Sequence, residues 1–276
     1  MEKIRKLLEK VEVLPLSPTL LPKLLPKLSD VDTNFDEVVD IIALDPSLTS
    51  KLLQICNSAF FGLDEPVSSV SQAVSQVGYQ SVYLLVAMIN GSNCFPYPSP
   101  AGVDAPLLWR HSVTTAFNAR FVAESAGQDG NLLFTAGLLH DIGKVVMGQA
   151  QPQAMGTAFR NPSDAASAER EYLLFGVTHA EVGAALLERW KLPMQLVAGV
   201  RWHHDPKSAG GLERLAACIS LANLLTHSEA RPQILAGDEF KSLLDLLGLS
   251  NDHLVRWRER LRDQQGLIDG MSRLPV

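Results

Sequence analysis

A chain of 276 residues, 46% apolar and 20% charged, has the balance of a soluble globular protein and suffices for one large core or two modest ones. Its 24 basic and 30 acidic residues leave a net charge of −6 with no long Lys/Arg cluster, which argues against nucleic acid as a partner. The longest apolar run, Tyr83 to Ile89, falls far short of the ~20 residues of a membrane span, no secretory leader pattern opens the chain, and three scattered cysteines form no disulfide framework. A cytoplasmic protein with no membrane partner is expected.

Residues 1–13 carry Ile4, Leu7, Leu8 and Val11 at helical spacing. Leu14-Pro15-Leu16-Ser17-Pro18 punctuates the chain, and a short helix from about Ser17–Thr19 is expected to bend or break near Pro26. Asn34 can cap a helix from Phe35, with Glu37 in the capping-box place and an apolar face of Phe35, Val38, Val39, Ile41 and Ile42. Asp45-Pro46 reads as the cap and first position of the next helix. Ser69 or Ser71 opens another, closing at Gly78, and a further one spans Ser81 to Ile89. Pro96, Pro98, Pro100, Gly102 and Pro106 then mark a loop. The expected organisation is an N-terminal helical subdomain over 1–95, a linker over 96–106 and a second helical domain over 107–265.

In that second part, residues 107–126 form a helix carrying His111. Leu132 to Leu139 opens a central helix that ends near Gly143 or runs on through Lys144-Val145-Val146-Met147. Residues 148–168 read as polar loop and Ala165 to Phe175 as a helix. Thr178 caps a helix from His179 to Trp190, with Glu181 completing a capping box. Helices over Leu196–Trp202, Leu212–Leu225, Phe240–Leu247 and Leu254–Leu261 follow, and the Gly-containing tail 266–276 is expected to fray. No stretch alternates at period two long enough for a sheet, and no Gly-rich phosphate loop, GxSxG or HExxH occurs. The expected fold is all-α.

The chemistry concentrates in histidines. His227 and His253 lie near helix ends, where surface or cap roles suffice. His111, His140, His179, His203 and His204 stand in apolar helical contexts or at helix ends, and burying them together with Asp141 and no cation would be costly. His140-Asp141 offers a neutral nitrogen ligand beside a charge-cancelling carboxylate that can also bridge two ions. Such a mixed set suits Fe, Mn, Zn, Co or Ni more than Ca. Lys144, one turn on, can neutralise a phosphate.

In this order, His111, His140-Asp141-Ile142-Gly143, His179 and His203-His204 resemble the HD superfamily of metal-dependent phosphohydrolases. With Leu14-Pro15-Leu16-Ser17-Pro18, Asp45-Pro46-Ser47-Leu48-Thr49, Leu52-Leu53-Gln54-Ile55-Cys56-Asn57-Ser58-Ala59 and Val67-Ser68-Ser69-Val70, the chain is more specifically similar to the HDOD (HD-related output domain) family of bacterial signalling proteins, over roughly residues 14–230. The resemblance implies two helical subdomains, the second an HD-type bundle, holding one or two divalent transition ions. It assigns His111, His140 and Asp141 to a first metal and His179, His203 and His204 to a second, with Asp141 and Lys144 as catalytic groups if the protein turns over substrate. Catalytic relatives complete the first site with an aspartate where this chain has Asn223, a change that weakens the metal, and the Gly-Tyr-Pro signature of the related cyclic-di-GMP phosphodiesterases is absent. The implied function is a regulatory module with a metal or ligand pocket and weak or no catalysis, serving a signalling protein or a small phosphorylated ligand. The alternative is a metal-dependent phosphohydrolase acting on a nucleotide or other phosphoester.

Overall fold

The computed structural model describes residues 2–10, 23, 35–95, 104–158 and 167–272, and among them every regular element is helical. The Pro-punctuated stretch 14–18, the bend near Pro26, the Asn34 cap and residues 96–103 of the expected linker lie outside the described residues. Helix α1 (Glu2–Lys10) buries Leu7 and Leu8, and α2 (Phe35–Ala43) buries Val38 and Ile42. Helix α3 (Pro46–Cys56) begins where local chemistry dictates: Asp45 accepts hydrogen bonds from the Ser47 and Leu48 amides at 3.0 Å, and Pro46 occupies the first position. Ser69 caps α4 (Val70–Val77), which stops at Gly78 because that residue has φ 83°. Helix α5 (Tyr79–Ser92) outlasts its apolar run at both ends and is buried from Val82 to Ile89.

The second half comprises α6 (Ala105–Ser125), α7 (Gly130–Leu139), α8 (Ile142–Ala150), α9 (Pro152–Ala158), α10 (Ser167–Phe175), α11 (His179–Arg189), α12 (Met194–Arg201), α13 (Glu213–Ser228), α14 (Asp238–Leu247), α15 (Asp252–Asp263) and α16 (Gln265–Ser272). Helix α6 is the central post, packed along both α7 and α13, while α8 lies against α11. Helix α1 packs on α8 and α11, so apolar side chains from Leu7 to Met271 form one continuous core.

Two expectations are corrected. Part of the polar stretch 148–168 is helical, because α8 continues to Ala150 and α9 restarts at Pro152 with Met155 as a fully buried anchor. The tail does not fray at residue 266: Leu267, Ile268 and Met271 are buried in α16, and the buried Trp109 indole donates to the Met271 carbonyl at 2.9 Å.

Candidate metal centre

The central apolar helix does not run through the His-Asp pair. It breaks there. His140 ends α7, and Asp141, at φ −100° and ψ 7°, precedes α8 without its side chain capping that helix. The carboxylate instead turns into the interior, toward three histidines and Lys144. Gly143 permits this, because it brings the first turn of α8 against the start of α11: a Cβ there would sit 1.9 Å from the His179 carbonyl oxygen. The N-terminus of α11 is fixed by the expected capping box, in which Thr178 and Glu181 exchange hydrogen bonds.

Two sets of ligand-capable side chains flank Asp141. In the first, His111 Nε2 lies 3.3 Å from His140 Nε2, and these atoms are 3.7 and 3.4 Å from Asp141 Oδ2. Asn223 lies beside the His111 ring. In the second, His179 Nε2 lies 3.3 Å from His203 Nε2, 3.1 Å from His204 Nε2 and 3.1 Å from Asp141 Oδ1. Lys144 Nζ is 2.7 Å from Asp141 Oδ2. The side chains singled out in the sequence therefore meet in one place, buried except for part of His111, part of Asn223 and the exposed His204.

The hydrogen bonds behind the rings set their tautomers. His140 Nδ1 donates to the Gly137 carbonyl and His203 Nδ1 to the Val200 carbonyl, each at 2.7 Å, since a carbonyl can only accept. His179 Nδ1 lies 2.8 and 2.7 Å from the two oxygens of Glu171. In His140 and His203 the Nε2 lone pair is left facing inward, and Nε2 of His179 faces Asp141 Oδ1. Burial pushes His111 down to about 3 and His203 to about 4, and holds His140 well below its ordinary value, so these rings stay neutral. Burial alone would raise the Asp141 carboxyl, but His140, Lys144 and His179 outweigh it and keep it ionised. Burial likewise lowers His179, yet Glu171 outweighs it and raises that ring.

This arrangement fits a cation. Pairs of Nε2 atoms 3.3 Å apart need a positive charge between them, which a ring proton or a shared metal ion supplies. Asp141 Oδ1 and Asn223 Oδ1 are buried oxygens with no hydrogen-bond partner among the described residues. Imidazole nitrogens with a shared carboxylate and an amide oxygen make a donor set for a borderline divalent transition ion.

Two further residues belong to the pocket. Glu171 is fully buried on α10, and besides bonding the His179 ring it accepts the His179 amide at 2.7 Å. The legible signal was its spacing four residues before Phe175, which places both on the buried face of an otherwise exposed helix. His227 is not a cap: one turn beyond Asn223 on α13, it stacks on His111 with ring centroids 4.8 Å apart. His253, by contrast, hydrogen-bonds Ser250 and tilts against Trp257, away from the pocket residues.

An all-α bundle with this ordered His and His-Asp pocket defines an HD-superfamily protein. The HDOD domain model matches residues 14–206, and the chain belongs to the HDOD domain family. It is similar to the crystal structure of a proposed phosphohydrolase from Shewanella amazonensis SB2B, with 26% identity, TM-score 0.75 and 98% of each chain covered. An uncharacterized protein of Treponema pallidum (strain Nichols) is 25% identical over 221 residues, covering 78% of this chain and 42% of that protein. Ribonuclease Y of Thermus thermophilus is 32% identical over 123 residues, covering 45% of this chain and 16% of that enzyme. The chain thus spans less than half the length of these two relatives. No helix among the described residues is long and apolar enough to cross a membrane.

Proposed function

We propose that this chain is a regulatory HDOD protein of bacterial signalling, whose pocket binds one or two divalent transition ions (Fe, Mn, Zn, Ni or Co) and a small phosphorylated ligand, with slow or no turnover. The observation that carries the reading is the division of one buried carboxylate between two histidine sets, Oδ2 toward His111 and His140 and Oδ1 toward His179. His111, His140, Asp141 and Asn223 would hold one ion, and His179, His203 and His204 with Asp141 the other. A divalent ion in such a place supplies Lewis acidity toward a phosphoryl oxygen and orients it.

The chain's own residues do the rest. The hydrogen bonds at Nδ1 keep His140, His179 and His203 aimed inward. Lys144 adds positive charge beside the carboxylate, where it can meet a ligand phosphate. The partly exposed edges of His111 and His204 give the ligand its way in. Asn223 argues for sensing over turnover, since an amide at His111 brings no negative charge where a carboxylate would secure the first ion.

The second reading, a metal-dependent phosphohydrolase acting on a nucleotide or other phosphoester, is favoured by the convergence of all five histidines with Asp141 and Lys144. The net charge of −6 argues against a nucleic-acid polymer in either case. The test is a panel of phosphoesters and nucleotides measured for both binding and hydrolysis with Mn²⁺ or Fe²⁺, alongside Asp141→Ala. Metal-dependent binding with little turnover supports the regulatory reading. Sustained hydrolysis abolished by Asp141→Ala establishes the second reading in its place, and absence of both binding and hydrolysis overturns both.

A further inference from the structure

The two sets share Asp141 but differ in donors and in electrostatics: the first has two imidazoles, the second three. On the side of the first set, Asp141 Oδ2 already has a cation: Lys144 Nζ lies 2.7 Å away, buried with it. Any ion held by His111 and His140 must compete with that ammonium for the oxygen, and Asn223 contributes no charge in compensation. On the side of the second set, Asp141 Oδ1 is buried, has no hydrogen-bond partner among the described residues and sits 3.1 Å from His179 Nε2. That set has a further carboxylate behind it. Glu171, fully buried, takes the His179 Nδ1 proton between its oxygens at 2.8 and 2.7 Å and holds the residue's amide at 2.7 Å. An anion hydrogen-bonded to the far nitrogen of an imidazole fixes the ring and makes the near nitrogen a stronger donor. In the first set, His140 leans only on the neutral Gly137 carbonyl.

We infer that the pocket is unequal: His179, His203 and His204, with Asp141 Oδ1, form the tight metal site, Glu171 is its positioning residue, and the set built on His111 and His140 is the weak one. The inference rests on the metal-binding reading above and adds the order of filling.

Metal-stripped protein titrated with Co²⁺, followed by its visible absorption and by elemental analysis after gel filtration, separates the two. The first equivalent is expected to bind wild type and His111→Ala alike, and to be lost from His203→Ala and from His204→Ala. Glu171→Gln should weaken that first equivalent by about 10–100-fold while leaving the second unchanged, which a merely structural role would not do. Lys144→Met should tighten the second equivalent. His204 is exposed, so its variant keeps the test intact if His203→Ala does not fold. A first equivalent lost from His111→Ala but retained by His204→Ala and Glu171→Gln overturns the order of filling and leaves the metal site standing. Wild type that binds no Co²⁺ overturns the metal reading and this inference together.

Discussion

Replacing Gly143 with alanine is the most direct mechanical challenge to the pocket. An added Cβ would lie 1.9 Å from the His179 carbonyl oxygen, 2.7 Å from its carbon and 2.8 Å from the Gly183 nitrogen. All three are backbone atoms of α11, so no rotamer change relieves the clash. Gly143 is not in the positive-φ region and lies in a helix, where alanine is otherwise favoured by about 1 kcal/mol. With open space the substitution would therefore stabilise the protein, and the sign of the effect decides the matter. Helix α8 must retreat by roughly 1 Å to escape, and overpacking of this kind costs about 1–3 kcal/mol, with rigid backbone favouring the upper end. At about 2–4 °C per kcal/mol, Tm should fall by roughly 5–10 °C. The same retreat draws Asp141 Oδ1 away from His179 Nε2, so Co²⁺ affinity should fall as well. Calorimetry and Co²⁺ titration check both. A variant that melts at or above wild type and binds Co²⁺ equally would refute the claim that the α8–α11 contact sets the pocket.

Asn223→Asp should tighten metal binding by the His111 set, read by Co²⁺ titration, because it adds a carboxylate beside a neutral ring; unchanged affinity would remove Asn223 from the site. Acid should destabilise the metal-free protein. His203 takes up its proton at about 4 when folded and near 6.5 when unfolded, so between those values the unfolded state binds more protons and stability falls as pH falls, by about 1.4 kcal/mol per pH unit per such ring. His179, raised by Glu171, opposes this: its contribution is present below pH 6.5 and is lost as pH rises through its folded value. The several lowered rings outnumber it, so urea midpoints from about pH 7 to 4.5 should decline, and a rise would contradict their neutral burial. Truncation after residue 264 should lower Tm by several degrees, since it removes the buried Leu267, Ile268 and Met271 and the acceptor of the Trp109 indole.

The features legible in the sequence were local ones. Caps at Asp45, Ser69 and Thr178 depend on side chains bonding amides two or three residues on, so a short window contains the whole interaction. The ligand set was legible because its residue types are rare in apolar helical surroundings and recur in a known order. The break at His140-Asp141 was not, since the flanking stretches from Leu132 to Met147 read as largely apolar. It becomes intelligible from the inward pull on the Asp141 carboxylate and the seat of Gly143 against α11, both of which are tertiary. His227 was missed for the same reason, as its stacking on His111 exists only where α13 crosses α6. Helix α16 was hidden by Gly266 and Gly270, which lower helix propensity while Leu267, Ile268 and Met271 supply the burial that overrides it.

The central claim is that Asp141 stands between two histidine sets and binds metal with them. Elemental analysis of wild type and Asp141→Asn, purified in parallel with transition-metal supplementation and confirmed folded by circular dichroism, tests it most directly. The variant also removes a negative charge 2.7 Å from the buried Lys144, which should lower stability. Wild type carrying at least one transition ion per chain and a folded variant carrying substantially less is the predicted result. Metal-free wild type, or a variant that retains its full metal content, would contradict the account.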